Sequence, residues 1–385
     1  MTFGKNYNQK GKIRLWSKIW LILNYMKKTI ALFLFLVLVA TTNAQVVPTK
    51  DFNNFFVSFQ DGFFRQIEVQ PITGYKAGDE CVAYIDTRGN LRIFDGKERK
   101  DVTVLNVEYE VSDHLMAYKI SGALKMWDAG KFQTLTTFAS GFAVKDSIIV
   151  YQDKRYSTLN VYWNKQTFPI LTYFSDYQMP TTLGENIVVY KDMSNTYFTF
   201  WRGKSYEIGT YNEEAMNFNI GTDVLCFNDP YTQTFITFDK GKFVEVESLP
   251  IKKYKSGRGF IVYEDLNGNL WKYENEEKTQ LSNFSTTFWD VKDDIIIWTE
   301  NSYLFSFSND QKQQVASYVP SDYLLKNNIF AFRNLMGGVS AVVNNKVEEI
   351  TNMQEAEYEI YGNKVLVRLP SKTCIVLSEG KKFNN

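Results

Sequence analysis

Gly259 to Leu281 reads GFIVYEDLNGNLWKYENEEKTQL, and the order of residues within it decides the fold. An unbroken apolar run, Phe260-Ile261-Val262-Tyr263, breaks at Glu264-Asp265-Leu266-Asn267-Gly268. A second run follows in which apolar residues (Leu270, Trp271, Tyr273) are interspersed with others. Another polar turn then leads to a short polar segment ending at Leu281. β-Branched and aromatic residues in runs of about five, punctuated by Asp, Asn and Gly, predict strand, turn, strand, turn, strand.

The same unit recurs along most of the chain. The residue ending each central apolar run falls at Tyr84, Tyr118, Tyr151, Tyr190, Phe227, Tyr263, Trp298, Phe332 and Val367, at intervals of 34, 33, 39, 37, 36, 35, 34 and 35 residues. So steady a period marks a repeat architecture. Upstream of each anchor lies another short segment and a tight turn, as in Phe142-Ala143-Val144 before Lys145-Asp146, so each unit holds about four strands. The second strand is apolar throughout (Ile295-Ile296-Ile297-Trp298 is one copy), which predicts cover on both faces. The fourth is mostly polar and often follows a Gly-Lys turn (Gly96-Lys97, Gly130-Lys131, Gly203-Lys204, Gly241-Lys242, Gly380-Lys381). That suits an outer edge guarded by charge.

Four-stranded antiparallel sheets repeated in this way resemble the blades of the β-propeller superfamily, and the resemblance covers roughly residues 54 to 383. The expected fold is all-β, a single closed β-propeller of about eight or nine four-stranded blades within residues 45–385. Phe55 to Phe59 and Phe63 to Glu68 look like the third and fourth strands of a unit without its first two. The last unit, Glu357 to Phe383, stops before a convincing fourth strand. An N-terminal hairpin at 54–68 is therefore expected to complete the final blade and lock the ring. The WD-repeat signature is absent, since Trp127-Asp128 occurs once without a Gly-His partner, and so is the Asp-box pattern of sialidases.

Residues 1–25 show no fold pattern and read as a gene-model extension. From Met26, Lys27-Lys28, the apolar core Ile30 to Ala40 and the small-residue end Thr41-Thr42-Asn43-Ala44 have the layout of a secretory signal peptide cut before Gln45. The core is shorter than the roughly 20 residues of a spanning helix, so no membrane span is expected in the mature chain. Removing residues 1–44 takes seven of the 43 basic residues and none of the 43 acidic ones, leaving 36 against 43. The net charge is then about −7, with no basic stripe, which argues against nucleic acid as a partner. A signal peptide ending Asn-Ala before Gln45, with a Tyr-, Phe-, Asn- and Lys-rich mature chain, is similar to secreted Bacteroidota propellers. Among these it resembles the periplasmic plug subunits of the type IX secretion translocon. The resemblance implies a periplasmic, non-enzymatic protein, associated with the outer membrane, that binds an outer-membrane or periplasmic protein partner.

Little in the chain suggests catalysis. Cys81, Cys226 and Cys374 sit inside apolar runs and read as buried thiols, a Cys81–Cys374 bridge being the alternative. Asp86, Asp153, Asp192, Asp229 and Asp265 each follow a central strand and read as turn caps on one rim, with cation or sugar binding as the other reading. The calcium-loop likeness of Asp265-Leu266-Asn267-Gly268-Asn269 is faint. His114, the single His, lies in a turn beside Asp113 with no nucleophile motif. No cofactor and no metal are expected, because ligands are too few. A carbohydrate-binding or carbohydrate-cleaving propeller is the alternative function, since paired acids carry no local motif. The outlying interval of 39 contains Tyr173, Phe174, Tyr177 and Met179 on an irregular connection, and these are the candidate partner-binding residues.

Overall fold

The computed structural model describes residues 45–385 apart from 105–106, 175, 181 and 212–215. The extension and signal-peptide readings lie outside the described residues. Every helix or strand described is a β-strand. Eight sheets have four antiparallel strands in sequence order, and a ninth has six. That ninth sheet holds β1 (Val47–Lys50), β2 (Phe55–Gln60) and β3 (Phe63–Ala77), then Val82–Asp86, Leu91–Phe94 and Arg99–Thr103. The first part of β3 pairs with β2 (Gln60 opposite Phe63), and its last part pairs with Val82–Asp86 (Ala77 opposite Val82). β3 is thus the outer strand of one blade and the inner strand of the next. The six-stranded sheet therefore supplies a three-stranded blade and a ninth four-stranded blade, ten blades in all. They are numbered 1 to 10 from the three-stranded one.

Strands A to D run outward within each blade, and neighbouring A strands touch around the axis. Lys253–Ser256, for example, contacts both Asn219–Ile220 and Trp289–Lys292. The buried apolar side chains described fall into ten clusters, each between two neighbouring blades. This explains the uniformly apolar B strands. Ile295 and Ile297 enter the cluster shared with blade 9, while Ile296 and Trp298 enter the cluster shared with blade 7. Each such side chain contributes about 1.5–3 kcal/mol when fully buried.

Ring closure differs from the expectation. Blade 10 has its own outer strand, Lys381–Asn384, paired with Cys374–Ser378. Residues 54–68 do not complete it. With β1 they form blade 1, whose Val47 and Phe59 pack on Leu366, Cys374 and Val376 of blade 10. The last strand was hidden in the sequence because it is four residues long and mostly polar, with only Phe383 turned onto Phe59 (ring centroids 5.2 Å apart). The intervening blade also separates Cys81 from Cys374. Both are free and buried, as is Cys226, and Cys374 Sγ lies 3.1 Å from Thr49 Oγ1.

Blade 1 has no A strand, so β1 turns an edge toward the axis. Pro48 has no N–H to present there. Its carbonyl accepts from Tyr75 Oη and Arg368 Nη2, both at 3.4 Å, and Arg368 is held by Glu359 at 2.8 Å. Side chains from blades 2 and 10 take the place of the missing strand and block edge pairing.

At one end of the axis the A–B turns are joined in a hydrogen-bonded collar. Val46 N donates to Asp79 O, Glu80 N to Asp113 O, Ser112 Oγ to Asp146 O, and Ser147 Oγ to Asn186 Oδ1. Asp223 N then donates to Glu185 O, Thr222 N to Gly257 O, Arg258 N to Asp293 O, and Asp294 N to Asn327 O. Asn327 Nδ2 reaches Gly362 O (2.8 Å), and Gly362 N returns to Asp79 Oδ1 (2.8 Å). That last bond passes over blade 1, which is tied to blade 10 by Lys364 Nζ donating to Gln45 Oε1 (2.8 Å). The turns approach so closely that a Cβ on Gly221 would lie 2.0 Å from Gly257 O, and one on Gly78 would lie 1.8 Å from Ser112 O.

Two cations cross this end of the axis. Lys326 of blade 9 pairs with Asp79 (2.6 Å) and Asp113 (2.8 Å) of blades 2 and 3. Arg258 of blade 7 reaches Glu185 (2.7 Å), Asp294 (3.0 Å) and Asn327 (3.2 Å). Burial works against the Lys326 charge, but Asp79 and Asp113 more than offset it and hold its pKa above the ordinary lysine value. His114 Nδ1 lies 3.0 Å from Glu80 Oε1. That hydrogen bond, opposed by burial and helped by the charges of Glu80, Asp113 and Glu185, raises the imidazole to about 9. A raised histidine stabilises the fold fully below its unfolded value, about 6.5, and the contribution is lost as pH rises through 9. The expected result is a Tm that falls between pH 6.5 and 9, with His114→Asn flattening that slope; thermal melts across the range measure both.

Candidate functional site

The end of the ring away from the collar carries the B–C turns and the D–A connections. Its turns are built on acidic caps. Asp86 Oδ1 accepts from Arg88 N and Asn90 N, Asp192 Oδ1 from Ser194 N and Thr196 N, and Asp265 Oδ1 from Asn267 N and Asn269 N, all at 2.8–2.9 Å. Asp153 and Asp229 cap Arg155 N and Tyr231 N in the same way. The capping reading of all five aspartates is thus what the geometry shows. Asp51 and Asn334 do the same in blades 1 and 9. Burial works against the Asp265 carboxylate, but hydrogen bonds from the Asn269 and Trp271 side chains, followed by those from the Asn269 and Asn267 backbone, hold its pKa below the usual range. Among the described residues no group of three or more His, Cys, Asp or Glu side chains is placed to hold a metal.

These capped turns lift apolar side chains into solvent. Of the exposed large apolar residues described, all but Phe63, Phe132, Leu324 and Val347 lie on this face. Phe52, Met193, Leu266 and Leu335 each directly follow the capping Asp or Asn, and Tyr231 follows two residues after its own. The opposite face carries tight two-residue C–D turns with left-handed backbone, such as Arg202-Gly203 and Lys240-Gly241, which leave little room for apolar display. Exposed apolar side chains thus recur in turn after turn of this one face.

Two clefts open on the same face. One, of about 920 Å³, lies at the channel mouth beside blades 6 to 8, where Asn217, Lys253, Tyr254 and Trp289 line it. The other, of about 320 Å³, lies where blade 1 meets blade 10, with Lys50, Glu357, Arg368 and Pro370 among its walls.

The four residues of the long connection divide. Phe174 is 78% exposed and available to a partner, whereas Tyr173 is only 8% exposed and belongs to the core between blades 4 and 5. Tyr177 stacks on Tyr173 (5.2 Å) and donates its hydroxyl to Lys191 O (2.7 Å). Met179 packs against the same core and over Gly141. Tyr173 is therefore corrected to a core residue, and the four together cannot be removed without cost to the fold. Tyr173→Ala is expected to destabilise by roughly 3 kcal/mol, the usual range for a buried aromatic. Phe174→Ala should melt as wild type, which differential scanning calorimetry would establish. Sequence reasoning missed Phe52, Met193, Leu266 and Leu335, which sit in turns of ordinary length. The recurring signal was an apolar residue directly after the capping Asp or Asn in four of these turns.

A closed ring of antiparallel blades around an axial channel defines a β-propeller. Its sequence matches the 10-bladed beta propeller domain family over residues 40–383, in agreement with the count of ten blades. The chain belongs to that family. No curated protein sequence matches it. Among solved structures it is similar to the computationally designed Ika8 protein, at 14% identity over 75% of this chain and 96% of that one, with a TM-score of 0.33. It is also similar to Prp20p from Saccharomyces cerevisiae, at 10% identity over 66% and 90%, with a TM-score of 0.32. The tricorn protease matches at 10% identity over 89% of this chain and 47% of its own length, with a TM-score of 0.30. None of these bears on what the chain does.

Proposed function

We propose that this protein is a non-enzymatic periplasmic interaction module, an accessory plug subunit of an outer-membrane protein secretion translocon. The observation that carries the reading is the concentration of exposed apolar side chains on the loop face. A propeller holds its loops rigidly on a framework that does not itself need to move, and rigid apolar loops bind with little ordering cost. The export reading of residues 26–44 supplies the compartment. The collar, which closes the other end with charged and polar groups, is not built for apolar docking. Affinity purification from native membranes, followed by mass spectrometry, tests the proposal. Recovery of a stoichiometric outer-membrane assembly is expected, and recovery of the protein alone overturns it.

A further inference from the structure

We propose that the larger cleft at the channel mouth is a binding site for a neutral oligosaccharide. The proposal does not rest on the docking reading, because the residues concerned line the axis and not the apolar turns around it.

Three features of the cleft point to this class of ligand. Its aromatic walls come from adjacent A strands and their approaches: Tyr254 from blade 7, Phe288 and Trp289 from blade 8. Aromatic faces carry partial negative charge and attract the weakly polarised C–H face of a pyranose ring. Two of the three lysines in the lining are already paired. Lys253 pairs with Glu264 at 3.2 Å and Lys255 with Asp290 at 2.5 Å, while Trp289 Nε1 shares Glu264 at 3.4 Å and Tyr323 Oη shares Asp290 at 2.7 Å. The two pairs offer donors and acceptors side by side and leave Lys252 as the one unpaired lysine of the lining, an arrangement that suits vicinal hydroxyls better than a polyanion. Each lysine retains donors beyond the bond to its carboxylate. Finally, hydrogen-bonding groups remain open at the rim. Asn217 and Lys252 have no side-chain partner among the described residues, and the Asn219 amide uses its oxygen to accept from Ser256 N, leaving its NH₂ available.

The cleft exists because the chain is held back from it. Asn228 turns its side-chain amide onto the Ile251 backbone, accepting from Ile251 N (2.9 Å) and donating to Ile251 O (2.8 Å). Tyr254 Oη holds Asn217 O at 3.1 Å. The A strand of blade 6 is only two residues long, Asn219–Ile220, against four in blades 7 and 8. These ties fix the wall before any ligand arrives. The volume of about 920 Å³ falls within the usual range of small-ligand clefts. The nearby carboxylates are engaged by lysines, so the inference is of binding, with no bond broken.

Isothermal titration of the full chain with cellotetraose, chitotetraose and hexaglutamate tests it. At least one neutral tetrasaccharide should bind, and Trp289→Leu should weaken that binding. Asn217→Ala, at an exposed rim position, should weaken it roughly tenfold while the circular dichroism spectrum is unchanged. Phe174→Ala should bind sugar as wild type, which separates this site from the docking face. Binding of hexaglutamate alone, no binding of either tetrasaccharide at millimolar concentration, or sugar binding indifferent to Asn217→Ala overturns the proposal.

Discussion

Gly221→Ala is expected to be severely destabilising. The added Cβ would lie 2.0 Å from Gly257 O and 3.0 Å from the Ser256 side chain. Backbone cannot yield there, because Thr222 N bonds to Gly257 O and Gly259 N returns to Thr222 O. Relieving the clash means prising blade 6 from blade 7 at the collar and straining Arg258 off Glu185. Overpacking of this kind costs about 3 kcal/mol, and here the cost falls on the bonds that close the ring. A lower Tm and a broader transition are expected. Gly74→Ala is the control, since a Cβ there meets nothing within 4 Å, and its melt should match wild type. Equal melting of the two variants would show that the collar does not govern stability.

Replacing Phe174, Tyr231, Leu266, Leu335 and Met336 by serine should abolish capture of the outer-membrane partner while the melt stays near that of wild type. All five are exposed and lie on the loop face. Exposed positions outside the core usually change stability by less than about 0.5 kcal/mol each. Apolar anchors that become buried in an interface often cost on the order of 2 kcal/mol each when truncated, so losing even two weakens binding by roughly a thousandfold. Co-purification and calorimetry on the same variant read both quantities. Undiminished capture would move the docking surface off this face.

The repeat was legible because the B strands are buried on both sides, and in blades 2 to 9 they leave an unmistakable run of four or more apolar residues. The nine four-stranded blades fall within the expected eight or nine, but the three-stranded blade that brings the count to ten was not legible. Blade 1 has no A strand, and the outer strand of blade 10 is Lys-Lys-Phe-Asn, whose polarity is normal for an edge yet indistinguishable from a tail. The collar was equally hidden. Gly78, Gly184, Gly221 and Gly257 look like ordinary turn glycines, and only the approach of the neighbouring turn gives them their role. At the candidate site, the irregular length of the connection pointed to four residues, of which Phe174 is exposed. It could not separate the exposed Phe174 from the buried Tyr173, because burial there is decided by blades 4 and 5 meeting across space. The acidic caps were readable because their bonds are local.

One consequence of the collar concerns how such a ring could change size. Where a propeller is fastened by borrowing a strand from the far end of the chain, its first and last units are interlocked, and any gain or loss must preserve that exchange. Here each of blades 3 to 10 is a single uninterrupted stretch of chain, and the join between blades 10 and 1 uses side-chain packing and a side-chain bond from Lys364 Nζ to Gln45 Oε1, with no exchanged strand. Duplicating or deleting one repeat of about 35 residues would therefore leave every remaining strand with its own partners. Circumference is set by how many turns can close hand to hand at the narrow end, and cross-axis pairs such as Lys326 with Asp113 act as spokes that select one diameter.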